Sequence, residues 1–355
     1  MAATAIQSSS FNNCIQNIKI YNFFQKVFIR LCKKMMKNKK TYLVTGGTGF
    51  VGSHLCESLL DKGNKVICLD NLSSGKIDNI SEIKKNDKFV FIKGDANKIK
   101  DVEPIFKKYR FDGVFHYAAV VGVKRTLENP LSVLEDIDGI KNILELSLKN
   151  GKPKVIFSSS SEVYGEPKEL PEKEDSVIDA KLPYASVKLI GENFFEAYWQ
   201  KHNLKTCSLR FFNVYGPRQE SSDYGFVVSI FIKQVLDGKS PIVFGDGSQT
   251  RDFVYIKDNI EASIRAMESD KSVGQVINIG TGESLTILDL AKMVIKCSGK
   301  EGKIKPKLVK NERIDIKHRS SEITKMIKLL DFHPAVSLED GLLQTIDYYK
   351  NIQKK

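Results

Sequence analysis

The sequence predicts an α/β fold, a doubly wound parallel sheet joined to a smaller α/β substrate-binding lobe. Three observations predict it. A short apolar run, Tyr42-Leu43-Val44, enters a glycine turn, GGTGFVG (46–52), and a helical segment follows straight after it. Short apolar strands then alternate with helical segments as far as Asn213. Beyond Asn213 the rhythm gives way to loops rich in Gly, Pro and charge, where a second lobe is expected to close over a cleft. Alternating β and α elements imply a parallel sheet whose ligands sit outside the carboxyl ends of its strands.

The glycine turn carries the first chemistry. Gly46 makes the tight turn, Gly49 lets the backbone approach a pyrophosphate, and Gly52 lets the helix lie close to the sheet. The free N–H groups at the helix start face the phosphates, and the helix dipole favours their charge. Glycine triplets also occur in plain turns. Here the next strand, KVICL (65–69), runs into Asp70, about 20 residues on, where a carboxylate accepts ribose hydroxyls and repels a 2′-phosphate. A Walker A loop is excluded because Ser53 follows Gly52 and no Lys stands at the phosphate-binding position. The reading is a bound NAD.

The remaining elements follow in order. KFVFI (88–92) is a strand, Gly94-Asp95-Ala96 a loop, and GVFHY (113–117) a strand ending at Ala118-Ala119. A helix is expected over 131–149, with Val133, Ile137, Ile140, Ile143, Leu144 and Leu148 on one face. KVIF (154–157) is a strand and 185–202 another helix. The Lys-rich stretch 296–310 reads as a solvated loop. Residues 1–40 lie outside the fold, 41–212 form the dinucleotide-binding domain, and 213–355 form mainly the second lobe, with part of 253–280 returning to the first.

Composition narrows the class. Hydrophobic content of 41% and charged content of 28% are those of an ordinary soluble globular chain. The net charge of +12 suggests nucleic acid until it is located: residues 1–40 carry eight Lys/Arg and no acid, leaving only +4 for the rest. No nucleic-acid partner is expected of the folded part. Six scattered cysteines without a C-x-x-C pair suit a reducing compartment, and five scattered histidines give no ligand spacing, so no metal is expected. In residues 1–40, Ile20, Phe23, Phe24, Val27, Phe28 and Leu31 fall at helical spacing among lysines. That start reads as an organellar transit peptide, a membrane-surface helix or an over-extended start ahead of Met35-Met36, with the cytoplasm as default location. No apolar stretch reaches the roughly 18 residues of a membrane span.

Two further segments carry hydroxyls and a cation. FSSSSEVYG (157–165) is a strand end bearing hydroxyls and one acid. PYASVK (183–188) sets Tyr184 and Lys188 at i and i+4, where helical side chains share a face. A nearby cation lowers a phenol's pKa and makes it a general base. Either segment alone is an ordinary turn or surface pair. The ordered set of glycine turn, serine turn and Tyr/Lys helix is hard to obtain by chance.

At these residues the chain resembles the extended short-chain dehydrogenase/reductase family, specifically its nucleotide-sugar epimerases and dehydratases. TGGTGFVGSHL, DNLSSG (70–75), GD (94–95), HYAA (116–119), SSSSEVYG, PYASVK, LRFFNVYGPRQ (209–219) and GDGSQTRDFVYIKD (245–258) stand in family order over about residues 41–350. The resemblance implies a Rossmann domain and a catalytic set of Ser160, Tyr184 and Lys188, with Glu162 beside them. It implies that Gly46, Gly49, Phe50, Gly52, Asp70, Asn71, Asp95, Ala96, Ala118, Ala119 and Lys188 line the NAD. Asn213, Arg251, Arg313 and Arg319 are implied to meet the UDP-sugar, and a homodimer is implied as the assembly.

Within that family the segments 184–219 and 245–258 look most like UDP-glucose 4-epimerases, which oxidise C4, let the 4-keto sugar turn over and return hydride to the other face. Glu162 is shared with UDP-glucuronate decarboxylases and 4,6-dehydratases, but dehydratases place an Asp where Ser161 stands. A non-catalytic scaffold would have lost Tyr184 or Lys188. Asp136 replaces a common Asn, and Ser229 a frequent Pro. The usual Arg-x-x-Asp is compressed to Arg313-Ile314-Asp315, which weakens a diphosphate role for Arg313. Arg319, alone in a Lys-rich region, is expected to face solvent, leaving Ser320 or Ser321 as the pocket wall and UDP-glucose or UDP-N-acetylglucosamine as substrate. An inward Arg319 would instead point to a UDP-hexuronate.

Overall fold

Residues 39–222, 225–310 and 316–353 are described by the structure, a computed structural model. Thr41–Lys355 form one compact unit, and the helix expected within residues 1–40 lies outside the described residues. The chain runs β1 (Thr41–Thr45), α1 (Phe50–Asp61), β2 (Lys65–Asp70), β3 (Phe89–Lys93), α2 (Ile99–Lys108) and β4 (Gly113–His116). Then come α3 (Val123–Glu128), α4 (Pro130–Leu134), α5 (Asp136–Lys149), β5 (Lys154–Ser160), α6 (Pro183–His202) and β6 (Thr206–Phe211). These strands lie in one seven-stranded sheet ordered β3-β2-β1-β4-β5-β6-β10, every pairing parallel, with β10 (Gln275–Ile279) on the far edge beside β6.

Parallel strands buried on both faces need apolar residues at successive positions, and these have them. Tyr42, Val44, Cys68, Phe115 and Ile156 point to one layer, where α1 packs. Leu43, Ile67, Val114, Val155 and Phe157 point to the other, where α2, α5 and α6 pack.

After β6 the chain makes β7 (Asn213–Tyr215), α7 (Val227–Leu236), β8 (Ile242–Phe244), β9 (Thr250–Tyr255) and α8 (Ile256–Glu268). α8 and β10 return to the large sheet, while β11 (Ser284–Thr286) joins β9 and β7 in a three-stranded sheet. α9 (Ile287–Cys297), β12 (Lys307–Val309), α10 (Thr324–Leu330) and α11 (Leu338–Gln353) complete the chain.

Three expectations are corrected. The helix after the glycine turn begins inside it, at Phe50, so Gly52 belongs to α1. The single helix expected over 131–149 is two, because the chain turns at Glu135 and draws Asp136 inward to accept N–H groups from Val120 and Asn97. The stretch 296–310 is not all loop: Lys307–Val309 pairs with β8, a contact between distant segments that local polarity does not report.

Candidate active site

The site residues gather on one edge of the large sheet because five of its strands end there. Gly46 follows β1, Asp70 closes β2, Asp95 and Ala96 follow β3, Ala118 and Ala119 follow β4, and Ser160 closes β5. Gly46 has φ +71, and a Cβ on it would lie 2.7 Å from the Ala118 nitrogen. A Cβ on Gly52 would lie 2.1 Å from the Gly46 carbonyl oxygen, so the first turn of α1 folds directly onto the glycine turn. The Asp70 carboxylate accepts the N–H groups of Thr48 (3.0 Å) and Leu72 (2.8 Å), which fixes it beside the turn and leaves it further acceptor capacity. Thr48 Oγ1 is buried within the turn without a hydrogen-bond partner. Tight backbone, an orphaned hydroxyl and a placed carboxylate fit NAD. Asn71, which bonds the Ser73 N–H, and Phe50, edge-on to His54, flank the same turn.

On α6, Tyr184 and Lys188 converge as their spacing predicts: Lys188 Nζ lies 5.6 Å from the Tyr184 ring centroid. The ammonium donates to the Ser158 carbonyl at 2.7 Å, tying the helix to β5. The Ser160 hydroxyl accepts the Glu162 N–H at 3.2 Å, so it caps the short turn Ser161–Tyr164. Behind it, Arg210 and Glu192 form a buried two-pronged ion pair (2.9 and 2.7 Å), and Ser159 donates to Glu192 at 2.5 Å. This pair, invisible in the sequence, braces β5, β6 and α6 against one another.

The electrostatics differ from expectation at Tyr184. Burial raises its pKa most, Glu162 and Asp136 add to that, and only the Ser160 hydrogen bond opposes them. The Lys188 ammonium donates to the Ser158 carbonyl and keeps its charge, but that charge does not outweigh the burial of the phenol. Lys188 is lowered to about 8 by burial, while Asp136 and Glu192 pull it upward. Asp136→Asn removes a carboxylate that favours the ammonium. The pH at which Lys188 loses its proton is therefore expected to move down, and an alkaline limb of the kcat–pH profile that follows Lys188 should move with it by up to about one unit. A limb that stays in place would separate Asp136 from Lys188.

Of the residues assigned to the sugar nucleotide, Asn213 on β7 and Arg251 on β9 lie in one small sheet, where Asn213 donates to the Asp252 carbonyl at 3.1 Å and Arg251 to the Thr250 carbonyl at 2.7 Å. Arg313 lies outside the described residues. Arg319 is not solvent-facing: its side chain is 1% exposed. The segment around it runs along β9, with Thr250 N–H bonding the Lys317 carbonyl and Arg319 N–H the Thr250 carbonyl. Residues two apart in such an extended run share a face. Ser321 is tied inward by Asp252, so Arg319 turns inward with it. Its guanidinium meets Glu172 at 3.2 Å and approaches Glu162 to 3.8 Å. Glu172 had no sequence signal, because only the fold brings it to Arg319.

Among the described residues no group of His, Cys, Asp and Glu could hold a metal ion, and no helix is long and apolar enough to cross a membrane. A parallel sheet of this order, a glycine turn with its acid, and a Ser, Tyr, Lys set define a dinucleotide-dependent enzyme of the Rossmann type. The chain belongs to the NAD dependent epimerase/dehydratase family, whose model matches residues 42–280. It is 36% identical over 326 residues to a UDP-N-acetyl-alpha-D-glucosaminuronate decarboxylase of Bacillus cytotoxicus, covering 89% of this chain and 99% of the relative. UDP-glucose 4-epimerase of Thermotoga maritima, solved with UDP-glucose, superposes with a TM-score of 0.83 at 34% identity, over 88% of this chain and 99% of the other. UDP-N-acetylglucosamine 4-epimerase of Methanobrevibacter ruminantium, solved with UDP-N-acetylmuramic acid, gives the same TM-score at 36% identity and the same coverage.

Proposed function

We propose that the chain is a nucleotide-sugar 4-epimerase acting on a UDP-sugar. The observation that carries this reading is the Tyr184–Lys188 pair on α6, 5.6 Å from ammonium to ring, with Lys188 bonded to β5, the strand that ends at Ser160 beside the glycine turn. Bound at the glycine turn, NAD would supply the acceptor, and then the donor, for the hydride at the sugar's C4. Ser160 holds the C4 hydroxyl in line, and Tyr184 takes its proton and later gives it back. Lys188 keeps a positive charge next to the phenol, which favours the phenolate that burial otherwise opposes. Asn213 and Arg251 hold the diphosphate, where a guanidinium offers paired N–H donors. Gly46, Gly49, Phe50, Gly52, Asp70, Asn71, Asp95, Ala96, Ala118, Ala119 and Lys188 hold the dinucleotide. In this reading 41–212, with the returning α8 and β10, is the cofactor domain, and most of the remainder binds sugar nucleotide.

A second reading, decarboxylation of a UDP-hexuronate, is favoured by one observation, the partly exposed Glu162 carboxylate two residues after Ser160. Incubation of the purified protein with UDP-glucose, UDP-N-acetylglucosamine, UDP-glucuronate and UDP-N-acetylglucosaminuronate, with products identified by NMR, separates the two. The 4-epimer is the expected product. A UDP-pentose with release of carbon dioxide would replace the first reading by the second.

A homodimer belongs to this proposal. Leu127, Leu131 and Leu134 are 55%, 76% and 42% exposed on α3 and α4, an apolar surface beside α6 that suits a second copy. Four described cysteines are free thiols, which accords with a cytoplasmic setting.

A further inference from the structure

We propose that Arg319 and Glu172 are positioning residues, a buried ion pair that fixes the Ser161–Tyr164 turn and thereby the Ser160 hydroxyl and the Glu162 carboxylate. The turnover part of the test rests on the epimerase reading. The geometry is that of a clamp: Arg319 Nη1 donates to the Ser161 carbonyl and Nη2 to the Gly165 carbonyl, so one guanidinium spans both ends of the turn. Glu172, also 1% exposed, holds that guanidinium at 3.2 Å. Glu172 is itself pinned, its carboxylate by the Ser320 N–H at 2.8 Å and its backbone by pairing with Ser320 and Glu322. Asp252 anchors the same segment through Ser321, Thr281 and Gly282.

A buried ion pair is seldom retained for stability, since its desolvation cost offsets the attraction. A planar fork that must reach two carbonyls and a carboxylate is a different requirement, and lysine's single ammonium on a flexible stem does not meet it. Glu162 is the competing anion. While Glu172 is ionised it neutralises the guanidinium and leaves Glu162 at the site. When Glu172 takes a proton, Glu162 becomes the remaining carboxylate for Arg319 and is drawn away from the hydroxyls. The groups that face Glu172 are Arg319, which favours its charge, and Asp252 and Glu162, which oppose it. Burial opposes it most, and the carboxyl is raised to about 7. Clamping is therefore strongest above that pH and weakens below it.

The test compares wild type, Arg319→Lys and Glu172→Gln as NAD-loaded full-length protein. It reads kcat and KM for the UDP-sugar that wild type converts from about pH 5.5 to 9, and hydrogen exchange of the peptide covering the turn. Arg319→Lys is expected to lower kcat roughly 10- to 100-fold, the scale of a small displacement of reacting groups, with KM within about threefold. Exchange should quicken in 161–165 and stay unchanged in 46–52. Glu172→Gln mimics the protonated carboxyl, so its kcat at about pH 8 should match wild type near pH 6 and its profile should lose the step near 7. A raised KM at unchanged kcat would make Arg319 a substrate-binding residue and overturn the proposal. So would an unchanged turn exchange, or a Glu172→Gln profile that keeps the step. Should Arg319→Lys fail to fold, the near-isosteric Glu172→Gln decides alone. If wild type converts no UDP-sugar, the epimerase reading falls, and the exchange measurement still judges the clamp.

Discussion

Tyr184→Phe is expected to abolish nearly all turnover while nucleotide-sugar binding stays within a few-fold. The substitution removes one hydroxyl and leaves a ring of the same shape beside Lys188. Losing a positioned acid/base typically costs 10²–10⁴-fold, roughly 3–5 kcal/mol in the transition state. The phenol's raised pKa sharpens the expectation, because burial makes its ionisation dependent on its neighbours. Single-turnover kinetics and calorimetric binding of UDP-sugar are the measurements. A loss of only about tenfold would place the base elsewhere.

The second large effect is expected at Gly52. A Cβ there would stand 2.1 Å from the Gly46 carbonyl oxygen and 2.9 Å from the Gly47 Cα. Both are backbone atoms of the turn, which cannot swing aside as a side-chain tip would. Gly52→Ala therefore has to lift α1 off the turn and misalign the N–H groups that face the pyrophosphate. NAD affinity is expected to fall by about 100-fold or more, near 3 kcal/mol. Gly49→Ala is the graded comparison: its Cβ would meet the Gly46 oxygen at 3.2 Å, which a shift of a few tenths of an ångström relieves. Its loss should be clearly smaller. Equal affinities in both variants and wild type, with unchanged melting temperature, would remove the turn from the cofactor site.

These two expectations divide as the protein's information does. The sequence by itself determined the parallel sheet and the strand-ends that carry Gly46, Asp70 and Ser160. Apolar runs, glycine spacing and the i, i+4 step from Tyr184 to Lys188 are local rules, imposed by backbone geometry within a few residues. The tertiary structure alone decided how those groups are held and charged. Arg210–Glu192 and Arg319–Glu172 join residues 18 and 147 positions apart. Polarity along the chain assigned Arg319 to solvent, yet β9 and Asp252 turn it inward. Spacing predicted a lowered Tyr184 pKa, yet burial raises it. Desolvation and ion pairing depend on which distant segments exclude water from a side chain, and only the folded packing sets that.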